Sequence, residues 1–383
     1  MDIYKYIEEY GKYTFEDKKI NQVDKVIFSF LSYANLEDVF ENTKSMTIGE
    51  ASKKYLKLHP EKDINIMAVK EGNKLLKHLG NSERYKNCIL SNYIYVGNTK
   101  VQFGVVTIEY MPDHVYVSFE GTDSMFSGWM EDFVLSYQFP TISHKMAIKY
   151  LNDNFTLTKK SIIVGGHSKG GNLALVASMY AKPSVKRKII EVINADGPGL
   201  LDKAFTSMRY NSIRKKYTHI MPNYSFVGLF LNHSNDYVVN STNKSILAHN
   251  IVYWEIEEDH FIKTKLSPFS KELDESISKW FSKYNLEDKK AFISNLKHIL
   301  EEAGVTSILD IKTKKRKLMS LITSSKEMSD HTKKVLIDFV LIIIKCFSEV
   351  KKEELKDLLT NMFKITSKTF SNLPISIEKR LKS

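Results

Sequence analysis

The spacing of apolar residues changes character twice along the chain. Over residues 1 to about 80 they recur three and four apart, as in VDKVIFSFLSYANLEDVF, the spacing of helices with one buried face. Near residue 90 the pattern turns into β-rich runs. NYIYVGNTKVQFGVVTIEY predicts two strands joined at Gly97-Asn98, a hairpin signal, and HVYVSFEGTD predicts a third strand that ends at Gly121. Helices and strands then alternate: HKMAIKYLNDNF reads as helix, SIIV as strand, NLALVASMYAK as helix and KIIEVINA as strand. A loop through Gly197-Pro198-Gly199 follows, and YSFVGLFL reads as a further strand. Such alternation predicts a parallel, doubly wound sheet with helices on both faces. From about residue 266 helical spacing returns in LDESISKWFSKY, DKKAFISNLKHILEEAG, VLIDFVLIIIKCFSEV and EELKDLLTNMFKI, with Gly304 placed to end the second. The expected organisation is therefore an α/β domain over residues 1–265, its first 85 residues mainly helical, and a helical C-terminal region over 266–383. No repeat of fixed period and no low-complexity segment interrupts it.

Composition bounds the functional classes. With 43% hydrophobic and 26% charged residues the 383-residue chain reads as an ordinary soluble globular protein. The opening MDIYKYIEEYGKYTFEDKK carries charge from its second residue and lacks the apolar core of a signal peptide. The longest apolar run, VLIDFVLIII at 335–344, is broken by Asp338 and closed by Lys345. It falls well short of the ~20 residues of a membrane-spanning helix, so a buried helix is expected. Cys88 and Cys346 are far apart, without metal-type spacing or a nucleophile's neighbours, which fits a reduced cytoplasm.

Charge separates the two regions. Residues 261–383 hold 25 Lys and Arg against 16 Asp and Glu, whereas residues 1–260 hold 31 against 29. The densest run is KTKKRK at 312–317. A solvated, lysine-rich helical surface is the expectation, and contact with an anionic partner such as nucleic acid or lipid headgroups is the alternative. No aromatic residue is interleaved with these lysines, which argues against single-stranded nucleic acid.

The candidate chemistry centres on IIVGGHSKGGNLALVAS, residues 162–178, where four glycines crowd Ser168 between a strand and a helix. Gly166-His167-Ser168-Lys169-Gly170 is a G-x-S-x-G in the strand–turn–helix setting of a nucleophile elbow. A serine at so tight a turn has strained backbone angles, and side chains at 166 and 170 would collide with the neighbouring strand and helix. The turn also leaves Ser168 at a helix start, where N–H groups and the helix dipole favour a developing oxyanion. The Lys169 N–H is one expected donor. A glycine-rich turn that binds phosphate or simply packs is the bland alternative.

A serine nucleophile needs a base, and the base an orienting acid. Downstream acids in loops at strand ends are Asp236, in the cluster NHSND after FVGLFL, and Asp196, in NADGPG. Candidate bases are His219, His233, His249 and His260. Order and loop placement favour Asp236 with His249, and Asp196 is the alternative acid. His260 follows an acidic run, and His167, on the elbow itself, is expected to pack or hydrogen-bond locally. Nothing in the spacing calls for a metal or a cofactor.

These residues resemble a known family. GHSKGGNLA is similar to the elbow of class 3 lipases, and SFEGTDSMFSGWMEDF at 118–133 is similar to their F-R-G-[ST] strand end followed by a W…D segment. With the helical N-terminal part and the lysine after the serine, residues 1–265 resemble the bacterial Mbeg-like group of lipase-like α/β hydrolases. The resemblance implies an α/β-hydrolase fold, Ser168 as nucleophile, Asp236 and His249 as acid and base, and Thr122 with Lys169 as oxyanion donors. It also implies that Trp129 and Asp132 serve as scaffold. Glu120 stands where the lipase pattern has arginine, which leaves the chemistry intact but weakens the case for true lipase activity. The expected activity is hydrolysis of a small acyl ester or lipid ester without a cofactor. A non-catalytic binding protein on this scaffold, using its basic helical tail, is the contrasting possibility.

Overall fold

Eight strands form one sheet in chain order: β1 (Ser45–Thr47), β2 (Ile89–Gly97), β3 (Gln102–Met111), β4 (His114–Phe119), β5 (Ser161–His167), β6 (Ile189–Ala195), β7 (Tyr217–Pro222) and β8 (Asp236–Val239). The computed structural model describes residues 1–60, 67–97, 101–122, 139–305 and 310–346. The pairings from β1 to β4 are antiparallel and those from β4 to β8 are parallel. The sheet is thus mixed, an antiparallel meander that feeds a parallel α/β half.

Alternation along the strands divides two cores. In β4, Val115, Val117 and Phe119 join the core beneath the helix Lys169–Tyr180, while Tyr116 turns to the opposite face. There it meets the helix Gln22–Leu31, where the Tyr116 hydroxyl lies 2.6 Å from Ser29 Oγ. Ser118, on the same face, donates to the Phe28 carbonyl at 2.7 Å. In β5, Ile163 joins the second core while Ile162 and Val164 join the first. Period-two alternation with both faces covered is why every residue of β5 after Ser161 is buried.

The N-terminal helices are stitched into this sheet by polar contacts as well as by burial. Asn21 and Asp24 form a capping box at the start of Gln22–Leu31. Asp24 is fully buried, yet it accepts from Arg84 Nε at 2.9 Å and Arg84 Nη2 at 2.5 Å, and from the Tyr85 hydroxyl at 2.5 Å. The terminal ammonium of Met1 donates to the Ile256 carbonyl at 2.6 Å. Residues 1–85 are mainly helical, with one addition to the expectation: β1 joins the sheet edge beside β2.

One expected strand is misplaced. YSFVGLFL holds a short 3₁₀ turn, Val227–Leu229, and the strand lies just before it, in Tyr217–Pro222. Contacts divide the chain between Lys279 and Trp280, inside the helix Pro268–Lys283, some way past the expected boundary at 265. In the second unit the helices Leu286–Ala303, Asp310–Ser324 and Asp330–Cys346 pack on one another, and the Trp280 ring packs against Phe292 and Phe339 at centroid distances of 4.9 and 5.3 Å. Gly304 ends the first of these helices at φ 69°, a left-handed cap that glycine adopts without Cβ strain. The run at 335–344 is helical, with Val335, Leu336, Ile337, Phe339 and Val340 buried, and its Asp338 accepts from the Tyr284 hydroxyl at 2.6 Å and from Lys283 at 2.7 Å. No helix among the described residues is long and apolar enough to cross a membrane. The segment EELKDLLTNMFKI lies outside the described residues.

Candidate active site

Ser168 joins β5 to the helix Lys169–Tyr180 with φ 57° and ψ −132°. A non-glycine residue in this region is strained, as an elbow demands. The glycines beside it supply space rather than unusual angles. A Cβ on Gly166 would lie 2.3 Å from the Gly170 carbonyl carbon and 2.6 Å from the Phe119 carbonyl oxygen, and one on Gly170 would lie 2.1 Å from that same oxygen. All of these obstacles are backbone, so no rotamer change could relieve them.

The strand beside the elbow leads into Asp196. The Ser168 N–H donates to the Ala195 carbonyl at 2.9 Å, tying the serine to the last residue of β6, and Asp196 follows at once with φ 49°. Asp196 is fully buried. Its Oδ1 accepts from the Ser225 hydroxyl at 2.5 Å and from the Gly228 N–H at 3.2 Å, and its Oδ2 accepts from His249 Nδ1 at 2.7 Å. That last bond places the His249 proton on Nδ1 and leaves Nε2 as a lone pair, the form a general base requires.

A second histidine fixes the first. His167 Nε2–H donates to the His249 carbonyl at 2.8 Å, so its Nδ1 accepts from the Tyr33 hydroxyl at 3.0 Å. The two imidazole rings lie 4.4 Å apart between centroids. Burial, with repulsion from His249, holds the His167 pKa well below the usual histidine range, so the ring is neutral. His249 sits at the end of the 3₁₀ turn Ile246–His249, which Trp254 braces by donating from Nε1 to the Ala248 carbonyl at 2.8 Å.

The structure therefore corrects the expected pairing of acid and base. Asp196 faces His249, and Asp236 does not. Asp236 opens β8, beyond β6 and β7, roughly three strand spacings of about 4.8 Å from β5. Its carboxylate is taken by His219 Nδ1 at 2.8 Å and His233 Nδ1 at 2.9 Å. Burial opposes its ionisation, but the bonds from His219 and His233 prevail and hold its carboxyl well below the ordinary range. Of the remaining candidates, His260 is half-exposed and lies beside Glu257 and Asp259.

Lys169 follows the serine directly. Gly121 runs close to the elbow, since a Cβ there would lie 2.4 Å from the His167 carbonyl oxygen, and Thr122 is the next residue. The Thr122 hydroxyl is buried and has no hydrogen-bond partner among the described residues. Lys169 is the first residue of its helix, where N–H groups have no intrahelical acceptor. Its side chain is buried and directed away to β3, donating from Nζ to the Gln102 carbonyl at 2.8 Å. Glu120 is buried against the same strand beside Gly104. Trp129 and Asp132 lie outside the described residues. Cys88 is buried, and burial pushes its thiol up to about 12, so it is no nucleophile.

Sequence reasoning missed the residues that hold the site together. Asn172 donates from Nδ2 to the Gly199 carbonyl at 2.7 Å and the Pro198 carbonyl at 3.2 Å, binding the elbow helix to the loop after Asp196. Its Oδ1 accepts from His144 Nε2 at 2.7 Å, and His144 Nδ1 in turn accepts from the Thr141 N–H at 3.0 Å. Asn172, a polar residue on the first turn of an otherwise apolar helix, was a visible signal; Ser225, inside a run that reads as strand, gave none.

A sequence model described as Mbeg1-like matches residues 79–298, more than half of the chain. No curated protein matches the chain. Among solved structures, a deletion mutant of Rhizomucor miehei lipase in complex with its propeptide is 12% identical, with 60% of this chain and 78% of that one covered at a TM-score of 0.38. The lipase from Rhizopus microsporus var. chinensis is 16% identical, with 64% and 81% covered at a TM-score of 0.35.

Proposed function

The chain belongs to the Mbeg1-like family, and we propose that it is a serine hydrolase that cleaves carboxylic esters through an acyl-enzyme on Ser168. One observation carries this reading: the Asp196–His249 pair is held at the end of the strand next to the one that ends in a strained, positive-φ serine.

The steps follow from the groups present. His249 Nε2 takes the proton of the Ser168 hydroxyl as Oγ attacks the ester carbonyl, and the carbonyl π electrons move onto oxygen. The Lys169 N–H, the Thr122 N–H and the unpaired Thr122 hydroxyl supply donors for that oxyanion. Asp196, hydrogen-bonded to Nδ1–H, stabilises the imidazolium and keeps the tautomer correct. Collapse breaks the bond to the alkoxy group, which leaves with the proton from His249. Water, deprotonated by the same nitrogen, then attacks the acyl-enzyme and releases the acid and free Ser168.

A fluorophosphonate probe should label the wild-type chain at Ser168. Labelling should vanish in Ser168→Ala and fall steeply in His249→Ala. Hydrolysis of short-chain nitrophenyl esters should drop roughly 10⁴-fold in Asp196→Asn, while Asp236→Asn keeps most of the activity. A folded wild-type chain that neither labels nor turns over any ester in a panel of graded acyl length would overturn the proposal. Loss in Asp236→Asn with retention in Asp196→Asn would overturn the assignment of the acid.

A further inference from the structure

Away from the elbow, three side chains converge at the far edge of the sheet. His219 on β7 and Asp236 at the start of β8 are direct partners in the parallel register, and His233 lies three residues before Asp236. One ligand atom from each falls within 4.8 Å of the other two. Both imidazoles direct Nδ1 at the same carboxylate, His219 at one oxygen and His233 at the other. The His219 side chain is fully buried, while those of His233 and Asp236 are 16% and 29% exposed, so one side of the cluster is open to solvent. We propose that His219, His233 and Asp236 form a binding site for a divalent transition-metal cation of the zinc class.

The other nitrogen of His219 leaves the ring free to serve a cation. Its Nε2 is buried, has no hydrogen-bond partner among the described residues and lies near the backbone of Gly228, 3.1 Å from the point a Cβ would occupy. Nδ1 is thus the nitrogen of His219 that finds a partner, and it is aimed at the same carboxylate as His233 Nδ1. A cation among these three groups would take two imidazole nitrogens and a carboxylate oxygen without breaking any other hydrogen bond of the His219 ring.

Ligand chemistry selects the class of metal. Two imidazole nitrogens with one carboxylate suit zinc and its neighbours rather than magnesium or calcium, which take mostly oxygen. Tetrahedral zinc with ~2.0 Å bonds separates its ligand atoms by roughly 3.3 Å, so the present 2.8 and 2.9 Å separations would open by a few tenths of an ångström. Asp274, on the helix Pro268–Lys283, faces the same pair and adds a second carboxylate near His233. Such a site would sit behind the acid of the elbow, with His219 spanning the two, yet it stands independently of ester hydrolysis.

The test is a titration of the full chain, stripped with a chelator, by zinc chloride in a calorimeter. One equivalent should bind saturably, magnesium chloride should not bind, and zinc should raise the thermal midpoint. His233→Ala, which removes a ligand at the open side, should weaken binding at least tenfold, as should Asp236→Asn, while His260→Ala leaves it unchanged. Should Asp236→Asn fail to fold, His233→Gln, which keeps a hydrogen-bonding group, decides the matter. Absence of saturable zinc binding by the folded, stripped wild type, or binding undiminished in His233→Ala and His233→Gln, would show that the cluster holds protons only and would overturn the proposal.

Discussion

On the proposed reading, Ser168 concentrates two demands that conflict at the level of a single residue: a side chain that reacts and a backbone that only glycine adopts freely. At φ 57° and ψ −132° a Cβ is strained by on the order of 1–3 kcal/mol. Its glycine neighbours cannot relieve this, because they clear space around the turn without altering its angles. Replacing the residue should separate the two demands. Ser168→Ala keeps the strain and loses the hydroxyl, whereas Ser168→Gly loses both. Ser168→Gly should therefore be more stable than Ser168→Ala by about 1 kcal/mol, even though glycine ordinarily costs about that much in chain entropy. Urea unfolding of the two inactive variants measures the difference. Equal midpoints, or a less stable glycine variant, would mean that the turn relaxes once the hydroxyl is gone.

At the scale of elements, the site is a matter of which loop follows which strand. The elbow was legible because glycine, serine and an apolar run obey local steric rules that a sequence displays directly. The carboxylate that partners His249 was not, because two neighbouring segments disguise their roles. FVGLFL is apolar since it folds as a buried 3₁₀ turn over Asp196, with Ser225 and Gly228 donating to the carboxylate. The true strand YTHIMP carries a buried histidine, His219, that breaks its apolar pattern and is tolerated only through its bond to Asp236. Reading the first as strand moved Asp236 to a strand's end, when it opens one. Asn172 shows what then holds the elements in place, since it links the elbow helix, the acid loop and the helix Ile142–Phe155 through His144. Asn172→Ala removes the bonds that tie His144 Nε2 and the Gly199 carbonyl to the elbow helix in the interior, at a cost of about 1–3 kcal/mol. Denaturant midpoints should fall accordingly, and kcat should fall more than KM rises, because the loop that carries Asp196 loosens. An unchanged kcat in a destabilised variant would confine Asn172 to a structural role.

For the molecule as a whole, the buried histidine pair links stability to pH in a window that can be isolated. His167 is faced by the Tyr33 hydroxyl, the His249 carbonyl and ring, and the Phe30 ring 5.1 Å away, with Asp196 beyond His249. Its pKa in the folded chain is depressed, first by burial and then by His249, below the ~6.5 of an unfolded histidine. Below that pH the unfolded chain takes up a proton that the folded chain refuses. The stabilisation is thus complete above about pH 6.5 and is lost as pH falls, by at most ~1.4 kcal/mol per pH unit. Two other shifted groups act elsewhere. The depressed carboxyl of Asp236 is felt only below about pH 4. The pKa of His233 is raised, because its bonds to Asp236 outweigh burial, so its contribution is lost above pH 6.5 rather than below. Between pH 6.5 and 5.0 the slope therefore reports His167 together with His78, whose pKa burial also depresses, and comparison with a His167 variant isolates the former. In His167→Gln, which keeps a donor for the His249 carbonyl but cannot titrate, the urea midpoint should change less over this range than in wild type. Parallel curves for the two proteins would place the acid sensitivity of the fold in some other group.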